Sequence, residues 1–112
     1  MEKKLSREDA WNLLTEYNQT TALQKHALQV EAAMRHFAVL NGEDPDVWGV
    51  CGLLHDLDYE KFPKEHCHKA EEIMREKGLD ETYICAMMAH GYGICTDVKP
   101  ESPLEKTLYT ID

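Results

Sequence analysis

The stretch LLHDLDYE, residues 53–60, places a histidine and two carboxylates directly beside a pair of leucines. Burying such polar groups costs several kcal/mol unless another group pairs with them. The partner has to be a neighbouring side chain, a water molecule or a metal ion. Which of the three it is depends on the polar groups that the rest of the chain brings to this stretch.

The composition is that of an ordinary globular protein. The chain has 112 residues, of which 43% are hydrophobic and 29% charged, and this length predicts a single domain. Its apolar runs are far shorter than the roughly 20 residues that a membrane-spanning helix needs. The N-terminal sequence MEKKLSREDAW has no apolar segment typical of a secretory signal. We therefore expect a cytoplasmic protein with no membrane partner.

The charge and the cysteines exclude two further classes of protein. The net charge is −9, whereas a nucleic-acid surface normally needs a basic face, so nucleic acid is not an expected partner. An anionic substrate would have to be attracted by a local group of cations. The four cysteines form no CxxC pair, which disfavours a zinc ribbon. Cys51 and Cys85 lie among apolar residues and are predicted to be small core residues.

Helical spacing of apolar residues runs through the whole chain. No segment of useful length alternates apolar and polar residues, so we predict an all-α bundle of five or six helices and no sheet. Local start and stop signals divide the pattern. The predicted helices begin after Ser6, cover residues 21–40, open at Pro45, Pro63, Asp80 and Pro103, and end at Gly42, Gly78 and Gly91.

Polar residues on four of these helices fall on apolar faces. Taken singly, each has an ordinary interpretation: His26 as a hydrogen-bonded core residue, His90 as a helix-terminal residue favoured by the macrodipole, and Asp112 as a terminal carboxylate. Taken together with the doublet His55-Asp56, they are expected to meet inside the bundle. Buried charges in such a position pair with one another or bind a metal.

The order His26, His55-Asp56, Asp112 on an all-helical chain resembles the HD superfamily of metal-dependent phosphohydrolases. The phrases GLLHDLDYEKFP, EHCHKAEEIM and AHGYGICTD resemble a bacterial branch of HD-domain hydrolases. The signature of the cyclic-dinucleotide phosphodiesterases is absent, because the chain reads His90-Gly91 where a double histidine is expected. The resemblance implies one HD-type helical bundle over residues 1–112, without the C-terminal helices that relatives carry.

The resemblance also implies a set of metal ligands. His26, His55, Asp56 and Asp112 would hold one divalent ion, and imidazole with carboxylate suits Mn, Fe, Ni or Zn. In two-metal members of the superfamily a second ion is added, which here would use His66 and His90 with Asp56 as the bridge. Adjacent residues on a helix point about 100° apart, so the helix is expected to end or distort at His55-Asp56.

The implied function is hydrolysis of a phosphomonoester or phosphodiester, such as a nucleotide, by metal-activated water, with His55 and Asp56 as the catalytic pair. Lys61, Lys64 and Lys69 are candidates to bind the substrate phosphate, although surface lysines are usually just solvated. Asp58 would orient a metal-bound water or a ligand histidine, or else cap a helix or form a salt bridge. Two alternatives remain: a non-catalytic metal-binding or ligand-sensing domain, and a helical interaction protein whose histidines are only hydrogen-bonded.

Overall fold

The protein is described here from a computed structural model, which covers residues 6–93 and 96–111, with the backbone alone at Pro63. Within these ranges the chain forms six α-helices and no strand, which confirms the predicted all-α fold. A 3-10 turn, Pro63–Glu65, lies between the third and fourth helices. The helices are α1 (Arg7–Tyr17), α2 (Thr21–Leu40), α3 (Pro45–Leu54), α4 (His68–Glu76), α5 (Glu81–His90) and α6 (Pro103–Ile111).

Short-range capping explains most of the helix boundaries. The Ser6 hydroxyl accepts a hydrogen bond from the Asp9 backbone N–H at 3.1 Å and starts α1. Asp44 and Asp80 accept in the same way at the starts of α3 and α5. Such caps satisfy backbone donors that the first helical turn leaves without a partner. Because these signals are local, the predicted starts of α1, α3 and α5 agree with the structure.

The fourth helix differs from its prediction. The sequence predicts a helix opening at Pro63, but the 3-10 turn ends at Glu65 and α4 begins only at His68. Between them, Cys67 has φ 73° and ψ −46°, a conformation that a right-handed helix cannot include. His66 therefore precedes α4, and the prediction of a helix that includes it from Pro63 onwards is wrong.

Two glycines allow α3 to pack closely on α2. A Cβ atom on Gly52 would lie 3.0 Å from the backbone Cα and N of Glu31. A Cβ on Gly49 would lie 2.6 Å from Nε of the Arg35 side chain. The C-terminal end of α3 is thereby held beside α2, and the apolar side chains around it, Leu53, Leu54 and Leu57, are fully buried in the core.

A buried carboxylate joins the first three helices. Glu31 on α2 is only 6% exposed, and it accepts hydrogen bonds from Arg7 Nε on α1 at 3.0 Å and from Arg35 Nε at 3.2 Å. Arg35 also donates to Asp46 on α3 at 2.8 Å. Charge-assisted bonds of this kind are stronger than neutral ones, so they fix the relative positions of α1, α2 and α3.

In the described part of the chain, no helix combines the length and the apolar character required to cross a bilayer.

Candidate metal centre

The carboxylate of Asp56 lies at the centre of four imidazole rings. Its Oδ2 atom is 3.5 Å from Nε2 of His26 and 3.3 Å from Nε2 of His55. Its Oδ1 atom is 3.2 Å from Nε2 of His66 and 3.4 Å from Nε2 of His90. The histidines are therefore divided into two pairs, one at each carboxylate oxygen.

Each of these residues comes from a different element or from its end. His26 is on α2 and His90 is the last residue of α5. His55 is the C-cap of α3, and Asp56 is in the turn that follows. The helix thus ends where the sequence predicts, and this end allows adjacent residues 55 and 56 to contribute to the same centre.

Backbone carbonyls fix the orientation of two of the rings. Nδ1 of His55 lies 2.6 Å from the carbonyl oxygen of Gly52, and Nδ1 of His90 lies against that of Met87. A carbonyl can only accept, so each Nδ1 carries a proton. The other ring nitrogen, Nε2, faces the carboxylate of Asp56, to which it donates a hydrogen bond when it is protonated and beside which it can bind a metal when it is not.

Asp58 holds the third ring. It is fully buried, its Oδ1 accepts from Nδ1 of His66 at 2.5 Å, and its Oδ2 accepts from the backbone N–H of Ala70 at 2.9 Å. Two of the roles considered from the sequence are therefore combined, because the same side chain orients a histidine and caps α4. The hydrogen bond from His66 to a carboxylate is typical of the second layer of a metal site.

The electrostatics of the centre favour a cation. Burial alone would raise the pKa of Asp56, but hydrogen bonds from His55, His66 and His90 outweigh it and hold that pKa well below its usual range. Burial would lower the pKa of His66, but its hydrogen bonds to Asp56 and Asp58 raise it to about 12. The carboxylates of Asp56 and Asp58 are therefore stabilised by positive charge beside them, which protons on the histidines or metal ions can supply.

The close contact between His26 and His55 supports the same conclusion. Their Nε2 atoms are 3.2 Å apart, so no more than one proton fits between them. Both nitrogens also face the same carboxylate oxygen. A divalent ion would satisfy both lone pairs and the carboxylate at once, so this donor set fits a transition metal such as Mn, Fe, Ni or Zn.

A second group of ligand atoms lies on the other side of Asp56. The ligand atoms of His66, Cys67 and His90 are all within 4.8 Å of one another, as are those of His26, His55 and Asp56. Sequence reasoning did not single out Cys67, although its position between two histidines in the sequence HCH was an available signal. His68, two residues later than His66, is exposed.

The remaining candidates from the sequence have different outcomes. Asp112, the predicted fourth ligand of the first ion, lies outside the described residues. Lys61, Lys64 and Lys69 line a common cavity of about 510 Å³ together with Phe62 and Glu65. This cavity is formed by residues on both sides of His66 in the sequence.

Two of these lysines also contact other side chains. Lys69 Nζ lies 3.4 Å from a Glu72 oxygen and 5.3 Å from the centre of the Phe62 ring. Lys61 Nζ lies 5.6 Å from the centre of the Tyr17 ring. Contacts with exposed carboxylates and rings are weak, so they leave both ammonium groups able to bind an anion.

Comparison with known proteins agrees with the resemblance at the level of the family. A family model described as HD domain matches residues 23–111, a range that includes Asp56 and the four histidines that surround it. No curated protein and no solved structure gives a significant match. The resemblance to a particular bacterial branch stays a prediction. Since the matched range covers most of the chain, the protein belongs to the HD domain family.

Proposed function

We propose that the protein is a metal-dependent phosphohydrolase that cleaves a small phosphomonoester or phosphodiester, such as a nucleotide. The observation that carries this proposal is the carboxylate of Asp56, whose two oxygens face two separate pairs of imidazole nitrogens. This is the arrangement of a carboxylate that can be shared by two ions. A pair of ions clamps both the attacking and the leaving oxygen of a phosphoryl group.

The ligand sets follow from the two pairs. His26, His55 and Asp56 would hold the first ion, with Asp112 as the ligand expected from the family pattern. His66 and His90 would hold the second ion with the other oxygen of Asp56. When bound, a divalent ion lowers the pKa of a coordinated water and stabilises charge on the phosphoryl oxygens.

The chain itself contributes orientation. Carbonyl groups hold the rings of His55 and His90, and Asp58 holds the ring of His66, so these nitrogens are positioned before any ligand binds. Preorganised donors need no rearrangement during the reaction, which is a major source of catalytic rate. No serine or cysteine nucleophile is required by this chemistry.

Exposure indicates the side from which a substrate would approach. The His26 and His66 side chains are 41% and 20% exposed, whereas His55 is fully buried and His90 is 4% exposed. The centre is therefore closed towards α3 and α5 and open where His26 and His66 reach the surface. We infer that water and a phosphate group approach the centre from this side.

The cavity lined by Lys61, Lys64 and Lys69 is our candidate for recognition of substrate phosphate. In a chain with a net charge of −9, the three lysines outnumber the one carboxylate of the lining, Glu65, so this cavity keeps the local positive charge that an anion needs. The Phe62 ring gives the same cavity an apolar wall. We infer that this cavity binds a phosphate or the apolar part of the substrate next to it.

Metal analysis and a phosphatase assay test the proposal. Protein purified without a chelating column should contain about one or two equivalents of transition metal and cleave a chromogenic phosphoester when Mn, Ni or Fe is supplied. Asp56→Asn should abolish both properties, whereas Asp97→Asn, at an exposed carboxylate, should change neither. Wild-type protein that binds no metal after reconstitution would contradict the proposal. Bound metal without turnover on a broad phosphoester panel would favour a ligand-sensing domain instead.

A further inference from the structure

Cys67 is a buried residue that directly follows His66, one of the histidines of the candidate centre. Its side chain is 0% exposed. Its sulfur lies within 4.8 Å of a ring nitrogen of His66 and of a ring nitrogen of His90. The Nε2 atoms of these two rings also lie 3.2 and 3.4 Å from Oδ1 of Asp56.

The backbone at Cys67 is unusual as well. With φ 73°, it is the only residue other than glycine that has a positive φ in the described ranges 6–93 and 96–111. Side chains with a Cβ disfavour this region, whereas glycine adopts it readily. Cys67 lies between the 3-10 turn and α4, directly after His66, whose Nε2 faces Asp56. Strained residues of this kind concentrate at functional sites.

We propose that the Cys67 sulfur is a ligand of the second metal ion, together with His66, His90 and Oδ1 of Asp56. This inference rests on the proposed function, because it concerns the second of the two ions. It makes the two sites chemically different, since the first has nitrogen and oxygen donors and the second adds sulfur. A thiolate is a soft ligand, so the second site should prefer Zn or Fe(II) over Mn.

The proposal includes one proton transfer that can be measured. Only the thiolate binds a metal, so the Cys67 thiol loses its proton to the solvent when the ion binds. A cysteine that only fills space would release no proton. Cys51 is the matched case: it is as deeply buried, and burial raises the pKa of its thiol, but it belongs to no group of ligand atoms within the described ranges.

Cobalt spectroscopy on the full chain tests the assignment without an activity assay. Wild-type protein reconstituted with Co(II) should show the intense thiolate-to-cobalt charge-transfer absorption. Cys67→Ser and Cys67→Gly should both lack it, and the glycine variant suits the positive φ and so keeps the fold if serine does not. Calorimetry in buffers of different ionisation enthalpy should show about one proton fewer released per protein molecule saturated with Zn in both variants. Cys51→Ser, Cys85→Ser and Cys95→Ser should behave as wild type.

The possible results separate this inference from the proposed function. If wild-type protein binds one or two Co(II) ions without the thiolate absorption, Cys67 is not a ligand, while the phosphohydrolase proposal still stands. Absorption that persists in both Cys67 variants, or that disappears in Cys95→Ser, also overturns the assignment. A wild-type protein that binds no metal overturns both proposals.

Discussion

The carbonyl oxygen of Gly52 accepts a hydrogen bond from Nδ1 of His55 at 2.6 Å, and the same glycine is the point at which α3 touches the backbone of α2. Helix packing and the orientation of a candidate ligand therefore depend on one residue. A change in the distance between the two helices would move His55 relative to His26, which lies on α2.

Gly52→Ala should damage both stability and metal binding. The added Cβ would lie 3.0 Å from the Glu31 backbone, which cannot move aside as a side chain can. Overpacking of this kind costs typically about 1–3 kcal/mol. Thermal denaturation should show a lower melting temperature, and metal analysis should show a lower metal content.

Gly49→Ala is the control for that variant. It has the same gain in helix propensity, but the nearest atoms to its Cβ would belong to the Arg35 side chain, which can shift at the cost of its bonds to Glu31 and Asp46, and not to backbone. Equal stability of the two variants would show that the close contact of Gly52 with the backbone of α2 does not determine stability.

The division of the histidines into two pairs predicts how metal is lost on mutation. His66→Ala and His90→Ala should each lower the stoichiometry by one ion and leave the first ion bound. His26→Ala should weaken the first ion instead, and Asp56→Ala should lose both, because its carboxylate faces both pairs.

Elemental analysis of each variant measures these stoichiometries, with the exposed residues His36 and His68 as alanine controls. A wild-type stoichiometry of one would contradict the two-ion arrangement. Loss of metal from the controls would show that the decrease is not specific to the centre.

Glu60 should make the stability of α2 depend on pH. Its carboxylate accepts hydrogen bonds from the backbone N–H of Gln19 at 2.9 Å and of Thr20 at 2.6 Å, at the start of α2, and these bonds lower the pKa of Glu60. A lowered pKa means that the contribution to stability is complete above the ordinary value of 4.5 and is lost as the pH falls through the folded value.

Thermal denaturation of Glu60→Gln checks this expectation. The variant should melt below wild type at pH 7, and the two curves should converge in acid, where the wild-type carboxylate is protonated. Glu16→Gln, at an exposed glutamate of α1, is the control and should melt like wild type at both pH values. A Glu60→Gln difference that stays constant with pH would mean that the charge of Glu60 is not involved.

The lysine cavity should affect substrate binding but not metal content. Lys64→Gln and Lys69→Gln remove positive charge from the cavity, and a lost hydrogen bond to a charged group of about 1.5 kcal/mol corresponds to a roughly tenfold increase in KM. Steady-state kinetics with a phosphoester substrate would measure it.

Lys77→Gln, at an exposed lysine outside the cavity, should leave KM unchanged. If Lys64→Gln and Lys69→Gln both have the same KM as wild type, the cavity is not the phosphate site. A decrease in bound metal would instead indicate that the substitutions disturb the centre itself.

The sequence alone determined the elements whose signals are local. The caps of α3 and α5 are Asp44 and Asp80, and each accepts a hydrogen bond from the backbone N–H two residues later. Pro45 follows at the first position of α3, so both helix starts can be predicted from the sequence. The expected end of α3 followed instead from the resemblance, because adjacent residues of a regular helix point about 100° apart and His55 and Asp56 were expected to bind one ion. The order His26, His55-Asp56, Asp112 in a helical sequence indicated the family, which the match over residues 23–111 then confirmed.

The tertiary structure decided how those residues are shared around the centre. The break at Cys67, the hydrogen bond from His66 to Asp58 and the capping of α2 by Glu60 all join groups that belong to different elements. Helical periodicity predicted that His66 lies within the fourth helix. Periodicity within one segment cannot show that Asp58, from the turn after α3, binds His66 and the start of α4. Position in the sequence specifies which ligands are available, whereas the packing of α2, α3 and α5 specifies which oxygen of Asp56 each imidazole faces.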